Sequence, residues 1–383
     1  MPTENGGGIE ITMQKDISRI FIESVLNKAL KEINKSPRRT ARNLIDMGVN
    51  FSKGHLQKFF LSYVQELLQN QNSAYYDLIK DVTDHVDKGI ISTFGMNLGY
   101  NGCTKGVKRI REVENLENFS VPLSLSMRLD GEKLTEEDSI YQKIIRQGKA
   151  LGIYVYLLKL EEGQPEALLP LLKKNRDCAF VLFVKDTDLS PAFLAGVHRS
   201  KNVMISVCAD DKAVNLCPKL REENLLYAVY SYYSEENEDD ILNGQWLAEQ
   251  LSLRPYFALL IPSPSCKKET CHKVYDYILS VRNEQKEAVI AMDLLQDSWK
   301  INEMISEDSC DIGFNMDGST RIYHKDCGRA EANCVENSHD DTGKDKNTAD
   351  GESSTVEKKE ITDKNIFDCS VEDILRSAVP RRQ

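Results

Sequence analysis

The sequence predicts an α/β fold, namely a complete or partial βα barrel in which parallel strands alternate with helices. Short apolar runs recur between residues 90 and 292, and each is typical of a strand that is buried on both faces. Amphipathic segments separate most of these runs, as crossover helices would. About six to eight such units favour a barrel over a doubly wound sheet, and a three-layer α/β sheet is the alternative.

The predicted strands are all rich in β-branched, aromatic and other apolar residues, and they span residues 90–94, 121–127, 153–158, 179–184, 203–207, 227–232, 257–261 and 288–292. The helices predicted between them span residues 137–151, 165–175, 239–250 and 270–283. This pattern places the barrel at residues 89–300.

Residues 14–88 are predicted to form a helical N-terminal subdomain, preceded by a disordered leader at 1–13. Ile17, Ile20, Phe21 and Val25 share one face of its first helix, and a second apolar stripe lies beside them. The first helix is therefore expected to be buried around much of its girth. After the barrel, residues 301–328 and 364–383 are predicted to form a small tail. Residues 329–363 between them are too polar to repay their ordering entropy and are predicted to be a disordered insert.

The 383-residue chain carries a formal net charge of −11. That charge argues against a surface for nucleic acid or anionic membrane, because both require a positive field. The chain contains no apolar run near the ~18 residues that a membrane helix requires. Its ten cysteines include no C-x-x-C pair, so we expect reduced thiols in a cytoplasmic protein.

Residues 90–111 are predicted to form a short strand, a Gly/Asn-rich loop that contains Cys103, and a basic helix. A loop between the carboxyl end of a strand and a helix N-terminus is where α/β folds bind ligands and cofactors. We therefore expect a cofactor to bind in this loop. Its glycines would let the backbone approach a ligand, or would serve a tight strand-to-helix turn.

Three short motifs occur in an order that is more specific than each motif alone. They are Met96-Asn-Leu-Gly-Tyr100-Asn-Gly-Cys103, then Asp130-Gly131-Glu132-Lys133, then Asp317-Gly318 with Tyr323, Asn365-Ile366 and Ser370-Val-Glu-Asp-Ile374. Together they resemble the radical S-adenosylmethionine superfamily, with a tail similar to the SPASM or twitch extension of its peptide- and protein-modifying members. The resemblance covers residues 88–328 and 364–378 and implies a partial βα barrel.

In that family the first motif reads C-x-x-x-C-x-x-C, and its thiolates bind a 4Fe-4S cluster. The matching positions here are Met96, Tyr100 and Cys103, so only the last is a cysteine. The family's G-G-E-P, which contacts the amino group of S-adenosylmethionine, reads D-G-E-K here. The resemblance implies cofactor contacts at Asn97, Gly99, Tyr100, Gly131 and Glu132, and metal ligands at Cys103, Cys310 and Cys327.

Each of these features also has a purely structural interpretation. Cys103 would pack as a small apolar residue, and D-G-E-K would be an ordinary turn after a strand. Cys266 and the pair Cys271-His272 match zinc-ligand spacing poorly, and helix packing explains them better.

The missing cysteines predict a divergent member of this superfamily that has lost the standard 4Fe-4S site. Such a protein would bind a peptide, a protein or a small molecule as a partner or regulatory subunit. The alternative is a radical enzyme that binds S-adenosylmethionine and a cluster through atypical ligands and modifies a peptide or protein. A second alternative is an unrelated βα-barrel enzyme with its active site at the carboxyl ends of the strands. Neither a catalytic residue nor an oligomeric state follows from the sequence.

Overall fold

A computed structural model describes residues 7–52, 54–136, 139–185, 188–306, 310–324 and 364–380. Its strands are β1 Ser124–Asp130, β2 Val155–Glu162, β3 Ala179–Val184, β4 Val203–Cys208, β5 Tyr227–Tyr233, β6 Phe257–Pro262, β7 Ile290–Asp293, β8 Cys310–Phe314 and β9 Thr320–His324. They form one curled sheet in the order β7-β6-β5-β4-β3-β2-β1-β8-β9. All neighbours are parallel except β8 and β9, which form an antiparallel hairpin. The predicted α/β partial barrel is confirmed.

The helices are α1 Gly7–Glu32, α2 Pro37–Phe51, α3 His55–Leu67, α4 Tyr75–His85, α5 Lys88–Met96, α6 Val107–Glu117, α7 Gly131–Thr135, α8 Ile140–Leu151, α9 Leu169–Lys174, α10 Pro191–Ser200, α11 Ala213–Glu222, α12 Glu238–Leu242, α13 Gln245–Leu251, α14 Lys268–Glu284, α15 Leu294–Ser306 and α16 Val371–Ala378. A π-helical segment, Asn97–Gly106, joins α5 to α6, and short 3₁₀ turns occupy Ile33–Lys35 and Pro165–Leu168. No helix of the described residues is long and apolar enough to cross a membrane.

The two faces of the sheet have different surroundings. On the outer face, alternate strand residues such as Leu125, Tyr156 and Ile205 are fully buried beneath the helices. The hydroxyl of Tyr156, for example, donates to the carbonyl of Ile145 in α8. The other face is the inside of the curl, which we call the interior face, and its residues are less completely covered. This alternation follows from the two-residue period of a strand.

Helix α15 spans the gap between the two ends of the curled sheet. It packs against β6, β7 and β8, and the indole Nε1 of Trp299 donates to the carbonyl of Tyr323 in β9 at 3.1 Å. Asp293, at the end of β7, accepts hydrogen bonds from the backbone N–H groups of Leu295 and Gln296 and so caps the start of this helix. The sheet and α15 therefore enclose the interior face from several sides.

Seven of the eight predicted strands are present, with ends that differ from the prediction by at most four residues. The helices predicted within residues 14–88 are also confirmed. The burial predicted for α1 is wrong in its middle part, because Ile20 and Phe21 are 64% and 46% exposed. The buried residues of this helix, Ala29 and Leu30, lie near its end.

The strand predicted at residues 90–94 is wrong, because this segment belongs to α5. The carboxylate of Asp87 accepts hydrogen bonds from the backbone N–H groups of Gly89 and Ile90, and so caps the start of α5. A short apolar run does not distinguish a buried strand from a buried helix, and the cap decides the outcome here. The predicted Gly/Asn-rich loop is likewise helical and continues directly into α6.

The two asparagines of the π-helical segment hold it against the chain that enters β3. Asn97, 1% exposed, donates from Nδ2 to the carbonyls of Arg176 and Cys178, at 2.7 and 2.8 Å. Asn101 donates to Oδ1 of Asn97 at 3.0 Å and to the carbonyl of Asp177 at 2.8 Å. These bonds satisfy three consecutive carbonyls that precede a buried strand.

The tail contacts the hairpin of β8 and β9. The backbone N–H of Ile366 donates to the carbonyl of Gly318 at 2.9 Å, and Asn365 Nδ2 donates to the carbonyl of Asp317 at 2.8 Å. The two parts of the third sequence motif are thus in direct contact. The predicted insert at 329–363 and the predicted ligand Cys327 lie outside the described residues.

We expect Asn97→Ala to lower the free energy of unfolding by about 2–4 kcal/mol, because it leaves buried carbonyls without a donor. Asn215→Ala is the control, since Asn215 is exposed on α11, and it should change stability by no more than about 0.5 kcal/mol. Urea unfolding measures both. Equal stability of the two variants would contradict the structural role assigned to Asn97.

Candidate functional site

The first predicted motif lies at the amino-terminal end of the sheet. A Cβ atom placed on Gly102 would lie 3.2 Å from the side chain of Val155, which begins β2. Asn97 bonds the carbonyl of Cys178, which immediately precedes β3. A Cβ atom on Gly106 would lie only 2.3 Å from the carbonyl oxygen of Gly152. The glycines at 102 and 106 therefore permit close packing of backbone against the barrel.

The second predicted motif lies at the opposite end, after β1. Asp130 accepts a hydrogen bond from the N–H of Glu132 and caps α7, while the side chain of Glu132 is exposed. Gly131 packs against the backbone of Glu162, where a Cβ atom would meet the carbonyl at 2.8 Å. The seven residues of β1, ~20 Å of strand, separate the two ends of the sheet. The structure does not bring Asn97, Gly99 and Tyr100 together with Gly131 and Glu132.

The residues at the positions of the cluster motif do not fit a 4Fe-4S cluster. Met96 is buried at the end of α5, and Tyr100 lies in the π-helical segment. Burial raises the pKa of the Cys103 thiol to about 11, which disfavours the thiolate that a cluster requires. Within the described part of the chain, no group of three His, Cys, Asp or Glu side chains could hold a metal ion.

The remaining cysteine predictions have separate outcomes. Cys310 begins β8, and its side chain is outside the described atoms. The sulfurs of Cys266 and Cys271 are 3.6 Å apart and buried where β6 leads into α14. No third His, Cys, Asp or Glu side chain joins this pair in a group that could hold a metal ion among the described residues.

The interior face carries an unusual number of polar side chains for a barrel interior. They alternate with apolar residues of the outer face along β1, β2, β4, β5, β8 and β9, as the strand register requires. They are Ser126, Arg128, Lys159, Glu161, Ser206, Cys208, Tyr230, Tyr232, Asp311, Arg321 and Tyr323. We call this set the interior polar face.

Arg321 on β9 is the most unusual member of this set, because it is only 9% exposed. Its Nη2 donates to Ser126 Oγ at 3.5 Å, a long contact, and its Nε has no hydrogen-bond partner among the described residues. Burial lowers the pKa of its guanidinium, and the positive charge of Arg128 lowers it further, whereas Tyr323 and Asp311 raise it. A buried guanidinium with an unused donor is costly unless something else satisfies it.

Gly313 makes the position of Arg321 geometrically feasible. It pairs with Arg321 across the hairpin and with Ser126 across β1 and β8. A Cβ atom at Gly313 would lie 2.8 Å from Nη2 of Arg321 and would collide with Ser126 Oγ. The guanidinium therefore crosses β8 over a residue that has no side chain.

Further charged residues of the interior polar face lie on β1, β2 and β8. Glu161 forms an ion pair with Arg128, whose Nε lies 3.4 Å away, and accepts a hydrogen bond from Lys159 Nζ at 2.9 Å. Asp311 accepts a hydrogen bond from Ser298 of α15 at 3.3 Å, and burial raises its pKa to about 6. Neither carboxylate forms an ion pair with Arg321 among the described residues.

Two further polar groups of the interior face belong to fully buried residues. Ser206 Oγ has no hydrogen-bond partner among the described residues, and the Tyr230 hydroxyl contacts the Cys208 thiol, a weak hydrogen-bonding group. Burial raises the pKa of Tyr230, and the neighbouring thiol of Cys208 raises it further. The ring of Tyr230 packs edge-on against Phe183, with centroids 5.1 Å apart. The interior therefore combines apolar and aromatic walls with a few buried polar groups. This combination is typical of sites that bind small ligands.

The interior residues were missed at the sequence level, although β1 carried a signal. Ser124, Ser126 and Arg128 alternate with Leu125, Met127 and Leu129, a two-residue period that predicts one polar face. Arg321 gave no such signal, because β8 and β9 were not predicted as strands.

No protein-family model and no curated protein matches this sequence. Among solved structures, the chain is similar to SuiB of Streptococcus suis bound to S-adenosylmethionine, with 10% identity, a TM-score of 0.46 and coverage of 72% of this chain and 68% of that one. For SuiB bound to precursor peptide SuiA the identity is 10% and the TM-score 0.41, and the match covers 56% of this chain and 62% of that one, less than two thirds.

A 3-dehydroquinate dehydratase from Geobacillus kaustophilus HTA426 is also similar, with 11% identity, a TM-score of 0.32 and coverage of 44% of this chain and 72% of that one. Identities and scores at these levels carry no information about activity.

We expect Tyr230→Phe and Ser206→Ala each to raise the free energy of unfolding by about 1 kcal/mol, because each removes a buried hydroxyl that has no oxygen or nitrogen partner among the described residues. Tyr156→Phe is the matched control. Its hydroxyl donates to the carbonyls of Ile145 and Ile153, so its removal should lower stability by a similar amount. Urea unfolding compares the three variants. Destabilisation by Tyr230→Phe as large as that by Tyr156→Phe would show that Tyr230 is already satisfied.

Proposed function

We propose that this protein binds a ligand against the interior polar face of its half barrel and does not assemble the standard 4Fe-4S cluster. The observation that carries the proposal is that the interior face holds two buried polar atoms without a hydrogen-bond partner among the described residues, Ser206 Oγ and Arg321 Nε, beside a buried Tyr230 hydroxyl that meets only the weakly bonding Cys208 thiol there. Each costs about 1–3 kcal/mol when left unsatisfied. Folded proteins retain such groups where function requires them.

The carboxyl ends of the strands provide the route to this face. The side chain of Arg128 is 43% exposed and Tyr232 is 44% exposed, although both belong to the interior polar face. Ligands of βα folds bind at this end of the sheet. The ligand would be a peptide, a segment of a partner protein or a small molecule, and binding it would serve a partner or regulatory role.

The absence of a standard cluster is supported by the chemistry of the first motif. Three thiolates in a loop would be needed, whereas this chain offers Met96, Tyr100 and a single Cys103 within continuous helix. The competing hypothesis is a radical enzyme with atypical cluster ligands that binds S-adenosylmethionine. The two hypotheses differ in iron content.

After anaerobic reconstitution with iron and sulfide, we expect less than about one iron per chain in the wild type, because the motif lacks thiolate ligands. Cys103→Ala should give the same value. Cys208→Ala is the control, since Cys208 is the half-buried cysteine of the interior face. About four irons per chain in the wild type, lost in Cys103→Ala and retained in Cys208→Ala, would restore the radical-enzyme hypothesis.

A further inference from the structure

We propose that the ligand of the interior face carries a carboxylate, which Arg321 and Arg128 bind, and an apolar or aromatic body that extends toward β5. The inference rests on the proposed function and specifies the chemical class of the ligand. It is carried by the position of Arg321, its unused donor and the charged residues of the interior polar face.

The guanidinium of Arg321 is suited to an oxyanion and has none within the described structure. It is nine-tenths buried, and within the described part of the chain its Nε has no acceptor and its Nη2 donates to Ser126 Oγ at 3.5 Å. A planar guanidinium donates two parallel hydrogen bonds to a carboxylate or a phosphate. Gly313 keeps open the path along which this side chain lies.

The balance of charge favours a monoanion over a phosphate dianion. Arg321, Arg128 and Lys159 supply three positive charges, and Glu161 and Asp311 supply two negative charges. Glu161 already pairs with Arg128 and Lys159, through contacts of 3.4 and 2.9 Å. One net positive charge is left over in this set, and among the described residues Arg321 forms no ion pair, so we assign that charge to its guanidinium.

Aromatic side chains on neighbouring strands define the rest of the site. The Tyr230 ring packs against Phe183 and Tyr232, with centroids 5.1 and 5.8 Å apart. Tyr232 and Arg321 both belong to the interior polar face, on strands β5 and β9 of the curled sheet. The buried hydroxyls of Ser206 and Tyr230 would then bond a second polar group of the ligand. Strands β1 and β4 are three strand spacings apart, ~14 Å along the sheet, so the ligand must be larger than an inorganic ion.

The test uses 3-phenylpropionate as the probe, with 3-phenylpropionamide as its uncharged match and inorganic phosphate as the dianion. Saturation-transfer-difference NMR measures binding of the two organic probes, and calorimetry measures phosphate. We expect the acid to bind the wild type at least tenfold more tightly than the amide, because a charge-assisted hydrogen bond is lost in the amide. Phosphate should bind more weakly than the acid.

Arg321→Gln should weaken binding of the acid by tenfold or more and leave the amide unaffected. Arg128→Gln is a second variant, which keeps the test decisive if Arg321→Gln does not fold. Arg254→Gln is the control, because this arginine is 62% exposed and pairs with Asp81 on the outside of the protein. It should bind the acid as the wild type does.

Three results would overturn the inference. The first is no detectable binding of the acid to the wild type, and the second is binding that Arg254→Gln weakens as much as Arg321→Gln does. The third is equal binding of acid and amide, insensitive to Arg321→Gln. That third result would leave a ligand site on the interior face while rejecting its carboxylate specificity. The stability test of Tyr230 and Ser206 is independent of all these probes and bears on the proposed function alone.

A free organic acid and the C-terminus of a peptide present the same carboxylate. N-acetyl-Gly-Gly-Phe and its C-terminal amide distinguish these sources. Tighter binding of the peptide acid than of 3-phenylpropionate, lost in the peptide amide, would assign a peptide C-terminus. Tighter binding of 3-phenylpropionate would assign a small acid.

Discussion

The structure depends on burial of one face of a parallel sheet beneath its helices. Leu125, Tyr156, Ile205 and their counterparts on the other strands are excluded from water on the outer face, and this burial is the main favourable term in folding. The two-residue period of a strand then fixes every other residue on the interior face. Because the outer face supplies the core, the interior is free to carry serines, tyrosines and charged residues at a tolerable cost in stability.

Closely packed helical backbone covers the amino-terminal end of the half barrel, whereas charged and aromatic side chains are exposed at the carboxyl end. The π-helical segment uses Asn97 and Asn101 to satisfy the carbonyls that precede β3. Its glycines let the backbone pack closely at this end of the barrel. At the other end, Arg128 and Tyr232 are partly open to solvent. This polarity agrees with the general rule that βα folds bind ligands at the carboxyl ends of their strands.

The repeated alternation of apolar runs and amphipathic segments was sufficient to predict the fold class, because burial on both faces leaves a simple pattern. The segment at 90–106 was mispredicted for two physical reasons. A short apolar run fits a strand or a buried helix equally well, and Gly-rich sequence fits a loop or a close helix contact. Pairing over long sequence distances placed Arg321 beside Ser126. Such a contact leaves no local signal, so the most unusual residue of the candidate site could not be predicted.

The most direct test of the central claim is a crystal structure of the protein soaked in 3-(4-bromophenyl)propionate, with the probe located by the anomalous scattering of its bromine. This probe is a monoanion with an aromatic body, the ligand class proposed for the interior face. The structural account predicts its carboxylate within hydrogen-bonding distance of the Arg321 guanidinium and an anomalous peak from its bromine on the interior face. An Arg321 side chain paired with the carboxylate of Asp311, together with no anomalous peak on that face, would contradict it.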